Sequence, residues 1–568
     1  MKKIISVFLV LIMTLSVFAV PASAASTQKV KYPIIFIAGS SVDLVDENQN
    51  PISTGFDVLT DDDEGDLTKE DIISKVMNVM IPFVVEGLPF DKWDNYGQAL
   101  YNELAPIFAE GQIDGDGNPK FGTGVAKAEL EQWDKNALVD HGKDGTFGYS
   151  DYKFRYDWRL SPYDVIDRLD KYIDVILKTT KCDKVCLVGR CLGGNVVTAY
   201  LDKYGKDKKV AKVVYDEVMS NGSATINDCF SGKIKFSDKH VQAYIAETEY
   251  FGQANVGLDI ADVSDLLLEI VDRTLDLMTQ TGVSQTIFGS VEALYEKLYA
   301  ALMPSVLLAT GIATWPSYWT SVCDDDFDAA LDLMFGKKGT ERRAEFSGLV
   351  DKITYLRKHI VIPRALEGEA NLYKKFVKEC DVEIGILAGY GLVQAPITAS
   401  YDLTGDCTVD LKSASFGATA AGVFDTLSDE YIAEREAIGY GEYISPDKKV
   451  DASTCLFPDT TWFIKNKHHD ELVGYYIVER FCQYKNFTVS DNYKDFERFL
   501  ITEGADGSMK DFENMTTENC QDGPWLNIVE QEPTKETMLA SLMRFFTTLF
   551  KFISELFKGN LNFDLFKK

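Results

Sequence analysis

Residues 184 to 201, KVCLVGRCLGGNVVTAYL, constrain the fold of this chain more than any other stretch. An apolar run, Val185 to Val188, enters Gly189-Arg190-Cys191-Leu192-Gly193-Gly194, and a helix-like segment follows. A strand can turn sharply into a helix around one reactive side chain only if the residues two before and two after it are small, because bulk there clashes across the turn. Gly189 and Gly193 meet both demands. The pattern G-x-S-x-G carries a hydroxyl at its centre; this chain carries the Cys191 thiol. A thiol keeps the logic of a nucleophile, since an ordinary cysteine ionises at about 8.5 and a nearby histidine deprotonates it more readily than a serine. The start of the helix and Arg190 add positive potential beside the sulphur. The competing reading of Cys191 is a small buried residue at a silent site.

The flanks supply a fold for that turn. YPIIFIAGSS, residues 32 to 41, reads as a buried strand entering a loop. FGYSDYKFRYDWR, 147 to 159, is a second strand candidate. SPYDVIDRLDKYIDVILKTT has apolar residues at 165, 166, 169, 173, 175 and 176 and Pro162 near its start, the pattern of an amphipathic helix. KVAKVVYDEVMS follows the turn as a further strand. Strands alternating with helices at this spacing predict an α/β fold, a mostly parallel sheet with helices on both faces. Between residues 260 and 380, DLLLEIVDRTLDLM and SVEALYEKLYAALM have apolar positions three and four apart and read as helices. Strand-like runs return at VEIGILAGYG, 382 to 391, and TTWFIKN, 460 to 466. The helical block, about 235 to 380, is therefore expected as a lid inserted into one domain spanning 25 to 530.

The two ends differ from that body. Lys2-Lys3, the apolar run IISVFLVLIMTLSVFAV and Ala22-Ser23-Ala24 make residues 1 to 24 a signal peptide by pattern, so a secreted chain is expected. Loss of Lys2 and Lys3 takes the net charge from -30 to -32. Such a surface repels phosphate backbones, and no nucleic-acid partner is expected. Ten cysteines show neither a disulfide framework nor a zinc pattern, and their pairing stays open. Residues 531 to 568 contain KETMLASLMRFFTTLFKFISELFKG, an amphipathic helix by its seam of Leu539, Leu542, Phe546, Leu549, Ile553 and Leu556. Arg544, Lys551, Glu555 and Lys558 interrupt any run long enough to span a bilayer. Two readings stay open for residues 535 to 558: packing on the body, or peripheral contact with a lipid interface.

A nucleophile needs an acid and a base, which follow it in the order Asp, His in hydrolases built on such a turn. The chain has five histidines, at 141, 240, 359, 468 and 469. His468 and His469, in WFIKNKHHDEL, lie just past a late strand; His469 is the first choice for the base and His468 the second, the other facing solvent. Asp406, in the loop of YDLTGDCTVDLKSAS, is the candidate acid. The backbone N–H groups of Leu192 and Ser40 are expected to hold an oxyanion. DGDGNP, 114 to 119, suggests a calcium loop but has Pro119 where glycine is required and Val125 where glutamate is required. No metal and no cofactor is expected.

Four islands resemble the lecithin:cholesterol acyltransferase group of α/β-hydrolases. PIIFIAGS is similar to that family's first strand and oxyanion loop, YDWRLSP at 156 to 162 to its Y-D-W-R stretch, and TWPSYW at 314 to 319 to its P-S segment. GDCTVDLKSAS is similar to G-D-G-T-V-P-L-x-S, whose aspartate is the family's triad acid, and the resemblance carries that role to Asp406. Three positions depart from the family: Cys191 replaces serine, Cys407 a glycine and Asp410 a proline. The resemblance implies an α/β-hydrolase with a helical lid that cleaves or transfers the acyl group of an ester, with lipid as the substrate class. Cys191 would then carry the acyl group as a thioester. Tyr156, Trp158, Arg159 and Trp315 to Trp319 are expected as core or substrate wall. The other classes considered are a catalytically silent lipid- or surface-binding protein on the same fold, and a thioesterase or amidase.

Overall fold

The computed structural model describes residues 30–39, 42–52, 77–79, 81–87, 90, 92–106, 108–220, 222–235, 237–250, 291–360, 370–469, 474–490, 497–502 and 512–528. The signal pattern, the helix expected at 531 to 568, the candidate helix at 265 to 278 and Ser40 lie outside these residues.

Eight strands of the described residues form one sheet. In chain order they are β1 (Ile34–Ile37), β2 (Tyr152–Lys153), β3 (Val185–Arg190), β4 (Val210–Asp216), β5 (Glu383–Tyr390), β6 (Thr461–Lys465), β7 (Phe499–Thr502) and β8 (Phe512–Asn514). Across the sheet they run β8-β7-β6-β5-β4-β3-β1-β2. All neighbours are parallel except the edge pair β7 and β8. The central strands β3 and β4 are buried along their whole length, as their continuous apolar runs require of strands covered on both faces. This is the mostly parallel α/β sheet expected from the strand–helix alternation. The strand expected over 147 to 159 is shorter than its sequence suggested, pairing only at Tyr152 and Lys153. Beyond Phe154 the chain leaves the sheet and its aromatic residues turn into the core.

Four helices matter for the turn at Cys191. Asp94–Leu104 (α1) packs on Val291–Ala309, which belongs to the insertion. Pro162–Thr180 (α2) is capped by Ser161, whose hydroxyl accepts from Tyr163 N, and Pro162 sits in its first turn. Leu192–Tyr204 (α3) follows β3 directly and packs against α2. The register sets the approach: Ile37 lies opposite Gly189, so the end of β1 runs beside the start of α3.

Between β4 and β5 the described chain is largely helical, with Ala224–Ser231 (α4), Asp238–Tyr250 (α5), Val291–Ala309 (α6), Phe327–Phe335 (α7), Ser347–His359 (α8) and Ala370–Glu379 (α9). Aromatic packing joins this layer to the body. Trp158 meets Trp315 edge to face at 4.8 Å, and Trp319 packs against Phe230, Phe327 and Phe335. Among the described residues, no helix is long and apolar enough to cross a membrane. All ten cysteines are free thiols.

The tightest joint of the strand-to-helix turn is at Gly193, where a Cβ would stand 2.0 Å from the carbonyl oxygen of Ile37. Gly193→Ala is therefore expected to push α3 off β1 and to destabilise the protein by about 1–3 kcal/mol. Urea melts would read this as a lower midpoint at an unchanged slope.

Candidate functional site

The backbone at Cys191 adopts φ 52° and ψ −132°, a conformation that side-chain-bearing residues rarely take. It sits between β3 and α3, its N–H donates to Asp216 O at 3.1 Å, and its carbonyl accepts from Gly194 N at 3.0 Å. Holding it there costs about 1–3 kcal/mol, supplied by the packing around it. Gly189, Gly193 and Gly194 make that packing possible: a Cβ on Gly189 would lie 2.7 Å from Gly194 Cα, and one on Gly194 2.3 Å from a Val218 methyl. The Cys191 side chain is half-buried and exposed at the C-terminal edge of the parallel strands, where ligands of open α/β sheets bind.

Asp406 follows a short pairing of Leu392–Val393 with Thr404–Gly405 and is fully buried. Its Oδ1 accepts from Thr408 N at 2.9 Å and Val409 N at 2.6 Å, which aims Oδ2 at His469 Nδ1, 2.7 Å away. The His469 N–H also donates to the Asp406 carbonyl at 3.0 Å, so backbone and ring are both tied to this loop. With Nδ1 engaged by Asp406, the ring stands near enough to Cys191 for the thiol to act on its ionisation. Burial works against charge on both partners, but each holds the other ionised. Asp406 is kept below the usual carboxylate range by His469, and His469 is raised well above the usual imidazole range by Asp406 and then by Cys191.

His468 has a different environment. Its Nε2 lies 2.9 Å from Cys407 Sγ, and both residues are buried. The expectation that the second histidine faces solvent is thus corrected: successive residues of the turn point to opposite sides, and the far side is occupied by the Cys407 loop. Asp410, standing in the family's proline position, caps the short helix Leu411–Ala414 through Ser413 N and also takes Ala224 N at 3.0 Å, tying the acid loop to α4.

The loop after β1 is positioned by the Y-D-W-R stretch. Tyr156 OH donates to Ala38 O at 2.9 Å and Trp158 Nε1 to Val42 O at 3.4 Å, on either side of Gly39 and Ser40. Arg159 is held by Asp157 at 2.7 Å and reaches Gly111 O and Thr123. A Cβ on Gly39 would stand 3.1 Å from Leu192 N and 3.3 Å from Cys191 Sγ. The missing side chain leaves a space shared by the sulphur and the first N–H of α3, which precedes the helical hydrogen-bond ladder. Trp158, Arg159, Trp315 and Trp319 are core, whereas Tyr156 and Tyr318 lie near enough to Cys191 to feel a charge there.

Sequence reasoning did not single out Lys467 and Glu217, and it placed Arg190 beside the sulphur without its partners. Arg190 reaches Asp216 at 3.8 Å and the His469 carbonyl, so it braces the histidine turn. Lys467 is fully buried and bonds Asp216 at 2.8 Å and Glu217 at 2.5 Å. Glu217 has φ 51° immediately after β4. The charged run at 465 to 470 after an apolar strand is a signal, but it resembles an ordinary exposed strand end.

The family model described as lecithin:cholesterol acyltransferase matches residues 125–254, a stretch that carries Y-D-W-R, β3, Cys191 and α3 and ends before Asp406. Over that stretch the chain is similar to the lecithin:cholesterol acyltransferase family. A solved chain from "The crystal structure of Tle4-Tli4 complex" is similar at 16% identity over 64% of this chain and 75% of that one, with a TM-score of 0.21, too low to bear on fold or function. No curated protein matches significantly.

The two histidines are separable by alkylation. His469→Ala is expected to slow iodoacetamide labelling of Cys191 by at least about tenfold, and His468→Ala to leave it within about threefold. Equal losses would contradict the pairing of His469 with the thiol.

Proposed function

We propose that this protein is a secreted acyl hydrolase or acyltransferase that acts on lipid esters through an acyl-thioester on Cys191. The observation that carries this reading is the Asp406–His469 hydrogen bond near a thiol held in a strained strand-to-helix turn. His469 takes the Cys191 proton as the sulphur adds to the ester carbonyl carbon. The negative charge moves to the carbonyl oxygen, which the Leu192 N–H and a partner amide at Ser40 would hold in the space beside Gly39. Collapse of the adduct breaks the ester C–O bond, and the alkoxide leaves with the proton from His469. Water or an acceptor alcohol then gives its proton to His469 and attacks the thioester carbon. The acid or new ester departs, and the sulphur recovers the proton. Asp406 keeps the ring oriented throughout and stabilises its charged form.

The family likeness supports the ester and lipid class, as do the buried aromatic residues Tyr156 and Tyr318 near the sulphur and the helical layer between β4 and β5. The pattern in residues 1 to 24 supports secretion, and the seam at 535 to 558 supports peripheral contact with a lipid surface.

Incubation with p-nitrophenyl esters of graded chain length, acyl-thioesters and acyl-amides tests the reading. Release of p-nitrophenolate with an acyl adduct on Cys191 in the intact mass, absent from Cys191→Ala, is the expected result. Turnover confined to thioesters or amides would move the substrate class, and no adduct with any acyl donor would leave the silent binding protein. Gly39→Ala is expected to lower ester turnover by about 100-fold, the scale of one lost oxyanion donor, while iodoacetamide labelling persists.

A further inference from the structure

Behind His469 and Asp406 lies a buried carboxyl that the proposed chemistry does not use. Glu217 follows the last residue of β4, and its left-handed backbone turns the side chain beneath the Asp406 loop. The residue is fully buried. Gly389 on β5 marks the point of convergence: a Cβ there would lie 2.9 Å from Glu217 Oε1, 3.1 Å from Asp406 Cβ and 2.8 Å from the Lys467 carbonyl oxygen. Any larger residue at 389 would force the three apart.

The hydrogen-bond inventory of this cluster identifies where a proton sits. Glu217 Oε1 accepts from Lys467 Nζ at 2.5 Å. Among the described residues no donor reaches Oε2. The Glu217 carboxyl nevertheless stands beside Asp406 at the Gly389 convergence, and the two act on each other's ionisation. Asp406 already accepts from Thr408 N, Val409 N and His469 Nδ1, and as a carboxylate it has nothing to donate. Two carboxylates side by side in a buried site repel; the contact is attractive only when one proton lies between them. Lys467 faces Glu217 from the segment after β6, Asp216 precedes it on β4, Asp406 faces it from the acid loop, and Arg190 on β3 bonds Asp216.

We infer that Glu217 is a positioning residue: its carboxylic acid donates to the Asp406 carboxylate and accepts from Lys467, fixing the angle at which Asp406 meets His469. The inference takes from the proposed function only that His469 serves Cys191. Glu217 touches no substrate and acts through Asp406. Burial is the main cause that pushes its ionisation up to about 8, with Asp406 and Asp216 adding to it against Lys467. Above that pH the acid loses its proton, the donor to Asp406 is lost, and a second negative charge appears beside the pair.

Glu217→Gln retains both roles, since the amide donates through Nε2 and accepts through Oε1, but it cannot ionise. Its Cys191 labelling by iodoacetamide at pH 7 is expected within about threefold of the unaltered protein, and the inflection expected near pH 8 in the unaltered protein is expected to be absent. Glu217→Ala is expected to slow labelling at least about tenfold. The low-field ¹H resonance of His469 Nδ1–H, assigned by its loss in His469→Ala, should be kept in the Gln variant and shifted in the Ala variant. A Gln variant as slow as Ala, or a pH profile superimposable on that of the unaltered protein, overturns the inference. If Cys191 in the unaltered protein labels no faster than a free thiol, the nucleophile reading fails. The Nδ1–H resonance then decides Glu217 by itself, an identical signal in all three proteins overturning it. Thermal melts verify folding, and the Gln comparison stands even if Glu217→Ala does not fold.

Discussion

The arrangement rests on one close contact, the seating of Gly193 against the Ile37 carbonyl at the end of β1. The start of α3 can sit there only because position 193 has no side chain. That seating lets the chain reverse from strand to helix within one residue, and the residue at the reversal, Cys191, takes a strained backbone conformation in consequence. The same contact brings Gly39 beside both the sulphur and the Leu192 N–H. One steric fact thus lines up the Cys191 sulphur, the Leu192 N–H and the loop after β1. The Y-D-W-R stretch holds the loop from the other side through Ala38 and Val42.

A second constraint runs beneath the pocket. Arg190, Asp216, Lys467, Glu217 and Asp406 form a buried row of charged and polar groups across the C-terminal ends of three strands. Buried charge is expensive unless paired, so each member depends on its neighbours' position. The row links the turn after β3 to the segment after β6, elements far apart in sequence, and joins the site's geometry to the central sheet. Its cationic side reaches the His469 turn through Arg190 and its anionic side through Asp406.

Much of this was legible along the chain. The elbow depends on local sterics, so G-x-C-x-G after an apolar run and before a helix shows itself in a dozen residues. The parallel sheet follows from alternating periodicities, and the G-D-x-T-V loop from its neighbours. The buried row was hidden because Lys467 and Glu217 look like ordinary strand-end residues. A charged residue at a strand end is usually solvated, and only the crossing of other segments over it removes water. The aromatic residues divided in a way that composition does not reveal: Trp315 and Trp319 close the core, while Tyr318 between them comes near the sulphur.

The sequence alone determined the strand–turn–helix around Cys191 and the sheet class, because each rests on interactions between residues close together in the chain. Which histidine meets Asp406 was decided only by tertiary structure. The sequence ranks His469 ahead of His468 with no contact to decide between them, whereas the fold sets His469 on Asp406 and His468 on Cys407. The bond from His469 N to the Asp406 carbonyl and the grip of Arg190 on the His469 carbonyl set the rotation of that turn. Both contacts join segments more than sixty residues apart, and only the folded sheet brings them together.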